Sequence, residues 1–321
     1  MRKIKNILLY IDSEKSVCNY WRGTGVFNEL ERDGHVKTKI SDWKESLITL
    51  RKHDIAYFQR PMFGHCLQQV LMAKDCGLKV WVDLDDWMSL PDNHPAKKTY
   101  DSNFDLKAFK TIMMAADIVS VTNDKMKESY LRFNTNIVVI PNAINDRLFK
   151  QRPQSTNKVL LWRGGVNHIN DIRTETESIK YILETHNDWN FVTIGERLPE
   201  YDRVKNHQHI GRLSMHDYFG FMLQLNPAIV IAPLEENKFN MLKSNIVWQE
   251  ATISGAVCVT PEFSSCCDGI KYCYSIRDEL DRIMKNRRLI YENFKSSVVS
   301  LRKNYYLSNI NKLRLKIIKS L

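Results

Sequence analysis

Short apolar segments rich in β-branched residues alternate with segments of helical periodicity along most of this 321-residue chain. In the first half, the strand-like segments are NILLYI, IAYFQRP, KVWVDLDD, DIVSVTN and NIVVIPN, and the helical ones are VFNELERDG, CLQQVLMAKDCG, FDLKAFKTIMMAA and KMKESYLRF. Strands that alternate with helices pair in parallel through crossover connections. The pattern predicts a doubly wound α/β domain over residues 1–150.

The alternation stops at the polar, proline-containing segment DRLFKQRPQSTN and then starts again. The strand-like segments KVLLWRGG, NFVTIG, PAIVIAPL and AVCVTPE alternate with the helical segments IRTETESIKYILETH, SMHDYFGFMLQL and KSNIVWQEATISG. We therefore expect a second doubly wound domain over residues 151–290, followed by a helical tail over residues 291–321. Because parallel sheets bind ligands at the carboxyl ends of their strands, the expected binding site is a cleft between the domains.

The composition is that of an ordinary globular protein. Hydrophobic residues make up 43% of the chain and charged residues 26%, which excludes disordered and collagen-like chains. The opening segment has a short apolar run, Ile7 to Ile11, too short for a signal peptide or a membrane span. The seven cysteines are an odd number, which favours reduced thiols over a disulfide scaffold. These features predict a cytoplasmic protein, in the host cytoplasm if the chain is viral.

Most of the net charge of +10 lies at the C-terminal end. Residues 281–321 contain eleven Lys or Arg and two acids, whereas the other 280 residues have 36 basic and 35 acidic side chains. Such a basic end is typical of contact with DNA, RNA or an anionic membrane, although a solvated helical face has the same composition. Helical spacing predicts an apolar stripe of Ile310, Leu313, Ile317 and Leu321, with Lys312, Arg314, Lys316 and Lys319 mostly elsewhere.

The strongest motif is made of three segments of the second domain: LWRGGVNHINDI at 161–172, IAPLEENKFNMLKSNIVWQEA at 231–251 and SGAVCVTPE at 254–262. They resemble the C-terminal domain of retaining glycosyltransferases of the GT-B fold, of the group 1 or family 4-like type. The preceding segment NIVVIPNAINDRLF resembles the bridge between the two domains of that superfamily. The resemblance implies two Rossmann-like domains and a last helix that packs back on the first. It also implies a nucleotide-diphosphate sugar as donor and no separate cofactor.

The residue types of this motif suit a diphosphate. Such a group needs backbone N–H donors at a tight turn or a helix N-terminus, and cationic side chains that neutralise the leaving phosphate. Gly164 and Gly165 form the expected turn, and Arg163 and Lys243 are the expected cations. Ser244 follows Lys243 in the same motif.

Glu250 is the expected partner of the ribose hydroxyls, as the resemblance implies. It follows Lys243 by seven residues, which is about two helical turns, so both side chains are expected on one face of one helix. The superfamily's paired acid would stand at position 242, where this chain has Leu242. Asn240 and Glu236 are the candidates to replace that acid at the sugar hydroxyls.

His168 and Asp171 follow the glycine turn and match a His-x-x-Asp pattern of some relatives, which implies a place at the donor. Helix capping by Asp171 and a surface position for His168 fit the sequence equally well.

The segments CNYWRGTG, FQRP, VDLDDW and PDNHPA of the first domain resemble a bacteriophage-type subgroup of these transferases. The resemblance places Tyr20, Trp21, Arg22 and Arg60 on the acceptor side of the cleft. Arg22 and Arg60 end successive strand–loop units, where they are expected to clamp a phosphate with two hydrogen bonds each. Ordinary surface arginines would have the same sequence environment.

The acidic segment after the third strand-like segment has two interpretations. Asp85 and Asp86, with His94, are expected to face the acceptor hydroxyl as catalytic groups that position it or take its proton. Alternatively, an Asp-x-Asp beginning at Asp83 holds a divalent metal on the sugar diphosphate in GT-A glycosyltransferases. The second α/β domain favours GT-B, which predicts that no metal is bound.

The cysteines near the end of the second domain do not have the spacing of a zinc knuckle. Cys266, Cys267 and Cys273 lack the two-residue spacer of such sites, and no second pair follows them. We therefore expect these thiols to bind no metal.

Together these features predict a glycosyltransferase that moves a sugar from a nucleotide-diphosphate donor to an acceptor hydroxyl, with retention. The phage-type resemblance and the basic end suggest hydroxymethylated bases of duplex viral DNA as the acceptor. Two alternatives stay open. The acceptor is a cell-surface polysaccharide or lipid-linked sugar reached through peripheral membrane contact, or the chain is a non-catalytic protein that binds nucleic acid or nucleotide.

Overall fold

The computed structural model describes residues 4–11, 17–41, 43–264 and 269–321. The strands are β1 (Lys5–Tyr10), β2 (Val36–Ile40), β3 (Ile55–Gln59), β4 (Lys79–Leu84), β5 (Ile118–Val121), β6 (Ile137–Val139), β7 (Val159–Gly164), β8 (Asn190–Gly195), β9 (His207–Ile210), β10 (Ile229–Ile231), β11 (Val257–Pro261) and β12 (Ile270–Tyr272). The α-helices are α1 (Val17–Arg22), α2 (Thr24–Arg32), α3 (Leu47–Leu50), α4 (Gly64–Asp75), α5 (Lys97–Asn103), α6 (Leu106–Ala115), α7 (Asp124–Tyr130), α8 (Ile169–Arg173), α9 (Thr176–Thr185), α10 (Met215–Leu225), α11 (Lys238–Met241), α12 (Ile246–Ile253), α13 (Ile276–Lys285), α14 (Arg287–Asn304) and α15 (Leu307–Ser320).

The strands form two separate six-stranded sheets in which every pair of neighbours is parallel. The first sheet has the order β2-β1-β3-β4-β5-β6, and the second has the order β12-β11-β10-β7-β8-β9. We call each sheet with its flanking helices the first and the second domain. The predicted fold class, two doubly wound α/β domains with a helical C-terminal region, is confirmed.

Local sequence signals account for several element ends. Gly34 and Gly77 follow α2 and α4 with φ of 72° and 82°, a conformation that glycine adopts without steric cost and that ends a helix. At the start of α6, the side chain of Asp105 accepts a hydrogen bond from the Ala108 N–H, which satisfies a free donor of the first turn.

Two helices differ from the sequence-based expectation. IRTETESIKYILETH forms α8 and α9 instead of one helix, with the break after Arg173. Lys243 and Glu250 do not share a helix, because α11 ends at Met241 and α12 begins at Ile246. Leu242, between them, is buried in the core of the first domain, and this anchor interrupts the helical path. The expectation of one shared helical face was therefore wrong.

Helices cover both faces of the first sheet. One face packs against α3, α4, α6 and α7, and the other packs against α2 and α15. The second sheet is covered on one face by α9, α13 and the start of α14. A further buried cluster, which we call the interdomain cluster, joins Trp21 of the first domain to Phe219, Trp248 and Leu301.

The chain returns to the first domain at its C-terminal end. Ile290 and Phe294 of α14 lie in the core of the second domain, whereas Ile310 and Ile318 of α15 pack with residues of β1 and β3. The predicted apolar stripe on this helix is partly wrong, since Leu313 is 40% exposed.

The buried face of α15 instead includes Arg314, which is 2% exposed and donates through Nη1 to Asn311 Oδ1 at 3.1 Å. Burial therefore removes one cation from the basic surface that the sequence predicts. No helix in the described ranges is long and apolar enough to cross a membrane.

Candidate functional site

The carboxyl ends of both sheets meet at one cleft, where most of the predicted site residues lie. In each sheet the strand order reverses at one point, between β1 and β3 in the first and between β7 and β10 in the second. Ligands of open α/β sheets bind at such switch points. Arg60 follows β3, and Arg163 and Gly164 end β7, so both reversal points carry predicted site residues.

Four charged side chains form a cluster at the cleft, three from the first domain and one from the second. The Arg60 guanidinium binds Asp85 through Nε and donates through Nη2 to Asp86 Oδ2 at 3.1 Å. Lys243 Nζ of the second domain lies 3.7 Å from Asp86 Oδ1. Arg60 has φ of 48°, a left-handed conformation that costs a non-glycine residue free energy and that is concentrated at functional sites.

The two carboxyl groups of this cluster have different pKa values. Burial raises the pKa of Asp85, against the opposing charge of Arg60 and with the help of the Asp86 charge. Burial also favours protonation of Asp86, but Lys243 and Arg60 outweigh it, so the pKa of Asp86 lies below its ordinary value. Asp85 is therefore the more basic of the two carboxylates.

A tight turn after β7 brings backbone close to the cleft. A Cβ on Gly164 would lie 2.5 Å from the Trp162 ring, whereas one on Gly165 would meet nothing within 4 Å. Gly195 of β8 has φ of 108° and packs against the Gly164 carbonyl. The predicted glycine turn is therefore present, but a 3₁₀ turn and the short α8 follow it in place of a long helix.

Arg163 and Glu250 contact each other directly. Arg163 Nη2 lies 2.6 Å from Glu250 Oε2, and the Tyr218 hydroxyl of α10 donates to the same oxygen at 2.8 Å. Glu250 is 3% exposed, and the Arg163 Nε is buried without a partner among the described residues. The predicted phosphate cation and the predicted ribose carboxylate thus belong to one cluster, which also includes Tyr218.

Asp171 is the centre of a hydrogen-bond network in the second domain. His168 Nδ1 lies 2.9 Å from Asp171 Oδ2, and Asn240 Nδ2 and the Glu235 N–H donate to Oδ1 at 2.7 and 2.9 Å. Burial raises the pKa of Asp171, but these donors outweigh it and hold the pKa below its ordinary value. Burial and the Lys243 charge lower the pKa of His168, so His168 is neutral and its Nδ1–H donates to Asp171.

His94 reaches the cleft from the first domain and lines a small cavity with Asn240 and Asp171. The Ala96 N–H donates to His94 Nδ1 at 3.1 Å, so the proton of the neutral ring is on Nε2. Burial and the Lys243 charge lower the pKa of His94. His94 Nε2 and Asn240 Oδ1 are both buried and have no partner among the described residues. One donor and one acceptor, from opposite domains, are therefore free in this cavity.

The segment around α11 forms further contacts across the cleft. Lys238 Nζ lies 4.2 Å from the centre of the Trp87 ring, and Asn123 Nδ2 donates to the Leu242 carbonyl at 2.9 Å. Ser244 Oγ accepts from Asn142 Nδ2 at 2.9 Å. Ser244 therefore contacts the segment that links the domains.

Three of the four residues expected on the acceptor side are not in the cleft. Arg22 is 1% exposed and is bonded to Asp83 through Nε at 2.9 Å and Nη2 at 2.6 Å. Trp21 is 5% exposed and packs against Phe219 with ring centres 5.7 Å apart, and Tyr20 contacts the same interdomain cluster. The expectation of a phosphate clamp at Arg22 was wrong, because its guanidinium bonds are already made in the interior. Arg60 is the predicted acceptor-side residue that lies at the cleft.

The acidic residues at the end of β4 and directly after it bind protein cations. Asp83 is bonded to Arg22, Asp85 to Arg60, and Asp86 to Arg60 and Lys243. Within the described ranges no group of three or more His, Cys, Asp or Glu side chains is arranged to hold a metal ion. Cys266 and Cys267 lie outside the described residues.

The chain is similar to several solved structures along almost all of its length. HepE (Alr3699) from Anabaena in complex with UDP matches with a TM-score of 0.70 at 11% identity, covering 99% of this chain and 100% of that one. The chain has the GT-B fold. Sucrose-phosphate synthase from Thermosynechococcus elongatus matches with a TM-score of 0.68 at 12% identity, covering 99% and 100% of the two chains. An E. coli trehalose-6-phosphate structure bound with UDP-2-fluoro glucose matches with a TM-score of 0.66 at 9% identity, covering 99% of each.

Neither a scan against protein-family models nor a search of the curated proteins gives a match. The GT-B fold rejects the GT-A interpretation of the acidic segment, which depended on a different architecture. Sequence reasoning did not identify Tyr218 as a site residue. Its position in an amphipathic helix gave no sign that it would reach Glu250, 32 positions away.

Proposed function

We propose that the chain is a glycosyltransferase that uses a nucleotide-diphosphate sugar, with UDP-sugars as the first donors to test. The observation that carries this proposal is the meeting of Arg163, Lys243, the Gly164–Gly165 turn and Glu250 at the carboxyl end of the second sheet. Cations, a backbone turn and a carboxylate at one switch point are the groups that bind a nucleoside diphosphate.

The similar structures support this choice of donor. HepE was solved with UDP, and the E. coli structure was solved with UDP-2-fluoro glucose. The sucrose-phosphate synthase is named for a product that contains a glycosidic bond. Because one fold supports many activities, the argument for this chain depends on its own cleft residues.

The proposed reaction breaks the bond between the anomeric carbon and the diphosphate and joins that carbon to the acceptor oxygen. Lys243 and Arg163 stabilise the negative charge that develops on the departing diphosphate, and the N–H groups of the glycine turn donate to its oxygens. Asp86 orients the acceptor hydroxyl and Asp85 takes its proton. The raised pKa of Asp85 makes it a better base near neutral pH than an ordinary carboxylate.

The cavity between His94 and Asn240, with a volume of about 10 Å³, has room for about one polar group, and it is the proposed place of one hydroxyl of the transferred sugar. A hydroxyl both donates and accepts, so it satisfies the free His94 Nε2–H and the free Asn240 Oδ1 together. His168 and Asp171 support this cavity by fixing Asn240. Asn240 thus takes the role of the acid that the resemblance places at position 242, where this chain has Leu242.

The proposed acceptor is a polyanion, with hydroxymethylated bases of duplex phage DNA as the first candidate. The proposed stereochemical outcome is retention of the sugar's anomeric configuration. Five exposed cations on α14 and α15 form no ion pair with the described residues: Lys295, Arg302, Lys303, Lys316 and Lys319. Unpaired cations are free to bind phosphates in a salt-dependent manner. An anionic membrane that carries a glycan or lipid-linked acceptor has the same charge, and a cytoplasmic location suits either acceptor.

Release of nucleoside diphosphate from a panel of nucleotide sugars tests the donor and the acceptor together. The full chain is incubated without added metal, alone, with hydroxymethylated duplex DNA, with unmodified DNA, or with anionic vesicles that carry a lipid-linked glycan. Release that rises only with modified DNA supports the DNA acceptor. Release that rises only with vesicles overturns the DNA acceptor and supports the membrane alternative.

Two double variants distinguish catalysis from simple binding. Replacing both Arg163 and Lys243 by Ala removes the proposed phosphate cations and is expected to lower release at least about 100-fold. Replacing Arg203 and Lys205 by Ala removes two exposed cations of the same domain and should leave release unchanged. If no nucleotide sugar is cleaved under any condition, the enzyme proposal fails and a nucleotide- or nucleic-acid-binding protein is the better account.

A further inference from the structure

The Glu250 carboxylate is held by two donors on one of its oxygens. Arg163 Nη2 at 2.6 Å and the Tyr218 hydroxyl at 2.8 Å both contact Oε2. No donor in the described part of the chain bonds to the other oxygen, Oε1. Because a carboxylate oxygen that already has two close donors has little capacity left, Oε1 is the atom that Glu250 can offer to a ligand.

Tyr218 can keep this arrangement at any physiological pH. Burial and the Glu250 charge raise the pKa of Tyr218 well above its ordinary value, although Arg163 opposes them, so the hydroxyl remains a donor. The aromatic ring is fixed as well, with its centre 5.5 Å from that of Phe219. Phe219 in turn stacks on Phe149 at 4.0 Å. The hydroxyl is therefore supported by packed rings on α10 and on the segment between the domains.

Arg163 is also the proposed cation for the diphosphate, so the position of Glu250 depends on Tyr218 when a donor is bound. If the Arg163 guanidinium turns toward a bound diphosphate, its contact with Glu250 weakens. The Tyr218 hydroxyl then remains as the neutral donor that keeps Glu250 in place, and it brings no charge that would compete with the phosphate.

We propose that Tyr218 is a positioning residue that fixes Glu250 so that Oε1 accepts the 2′-hydroxyl of the donor's ribose. This inference rests on the proposed nucleotide-sugar donor and adds a source of selectivity for ribonucleotides over 2′-deoxyribonucleotides. Tyr218 itself need not touch the nucleotide. Its removal should weaken only those ligands whose ribose hydroxyl depends on Glu250.

Paired nucleotides test the inference. Binding of UDP, GDP and ADP to the full chain is measured by calorimetry, and the tightest of them is compared with its 2′-deoxy counterpart. In the Tyr218→Phe variant, the Kd of the ribonucleotide should rise about tenfold, while the Kd of the 2′-deoxynucleotide should change less than about twofold. The ratio between the two ligands therefore falls toward one.

Tyr201→Phe is the matched control, because Tyr201 is a fully buried tyrosine in the core of the same domain. That variant should keep the wild-type ratio. If Tyr218→Phe keeps the wild-type melting temperature and the wild-type ratio, the positioning role is overturned while the proposed function stands. The positioning role is also overturned if the wild type binds the ribonucleotide and its 2′-deoxy counterpart with equal Kd. If the wild type binds no nucleoside diphosphate, the proposed function fails, and this inference fails with it.

Discussion

The ion pair between Arg22 and Asp83 shows how the surroundings of a single side chain decide its role. Both side chains are 1% exposed, and the guanidinium forms two bonds to the carboxylate. It also donates to the Ile140 carbonyl at 2.6 Å. Breaking such a buried pair leaves an uncompensated charge in the interior.

We therefore expect Asp83→Ala to lower the free energy of unfolding by about 3–5 kcal/mol. Asp278→Ala is the control, because Asp278 is 74% exposed and its ion-pair partner among the described residues is its neighbour Arg277; its effect should stay below about 0.5 kcal/mol. Urea unfolding followed by circular dichroism measures both variants. Wild-type stability of Asp83→Ala would mean that Arg22 finds other partners, which would reopen a binding role for it.

Gly164, the last residue of β7, and Gly165, which follows it, differ in the space around their backbone. An added methyl group at Gly164 would meet the buried Trp162 ring at 2.5 Å, while at Gly165 it would meet open space. Gly164→Ala should lower stability by about 1–3 kcal/mol, because Trp162 must move in a packed core. Gly165→Ala should change stability by less than about 0.5 kcal/mol. Thermal unfolding compares the pair, and equal losses in both variants would contradict the steric argument.

Helices and strands with strong local patterns could be predicted from the sequence, and those that depend on distant contacts could not. The segment NILLYI has an apolar run from Ile7 and forms most of β1, but VKTKI forms the edge strand β2 despite its exposed lysines. An edge strand with one solvent-exposed face has few apolar residues from which it could be predicted.

For the site as well, local features could be predicted from the sequence and distant contacts could not. The glycine turn is local and was predicted, whereas Arg22 is buried by a partner 61 positions away.

The connection between α11 and α12 departs from the single helix expected from the sequence. Leu242 is 4% exposed and packs in the core of the first domain, so it anchors the second domain's segment across the cleft. A glutamate at this position would supply the acid that the sequence resemblance implies, but it would bury a charge in an apolar environment. The hydrophobic contact and the acid are therefore alternative solutions at one position.

Leu242→Glu should accordingly lower stability by about 3 kcal/mol or more and should not raise the rate of nucleotide release. Leu313→Glu, at a position that is 40% exposed, controls for the added charge and should have little effect on stability. Urea unfolding measures the stability of both variants, and the release assay measures their rate of nucleotide release. A stable and more active Leu242→Glu protein would show that the position still serves the sugar.

The two domains are held together at the cleft by groups that the proposed donor also needs. Lys243 Nζ lies 3.7 Å from Asp86 Oδ1, and Arg163 is paired with Glu250. The lowered pKa of Asp86 keeps it ionised at neutral pH, so an arriving diphosphate meets a carboxylate already in contact with its cation. Donor binding and domain contact are therefore linked, since the phosphate must compete with Asp86 for Lys243.

This competition gives Asp86→Asn opposite effects on binding and on turnover. Loss of the negative charge frees Lys243 and removes repulsion of the diphosphate, so the Kd of the tightest nucleoside diphosphate should fall about three- to tenfold. Sugar transfer should slow, because the proposed partner of the acceptor hydroxyl is lost. Asp92→Asn, on the same loop and with a fully exposed side chain, should change neither quantity. Weaker diphosphate binding by Asp86→Asn would mean that Asp86 holds Lys243 in its binding position instead of competing for it.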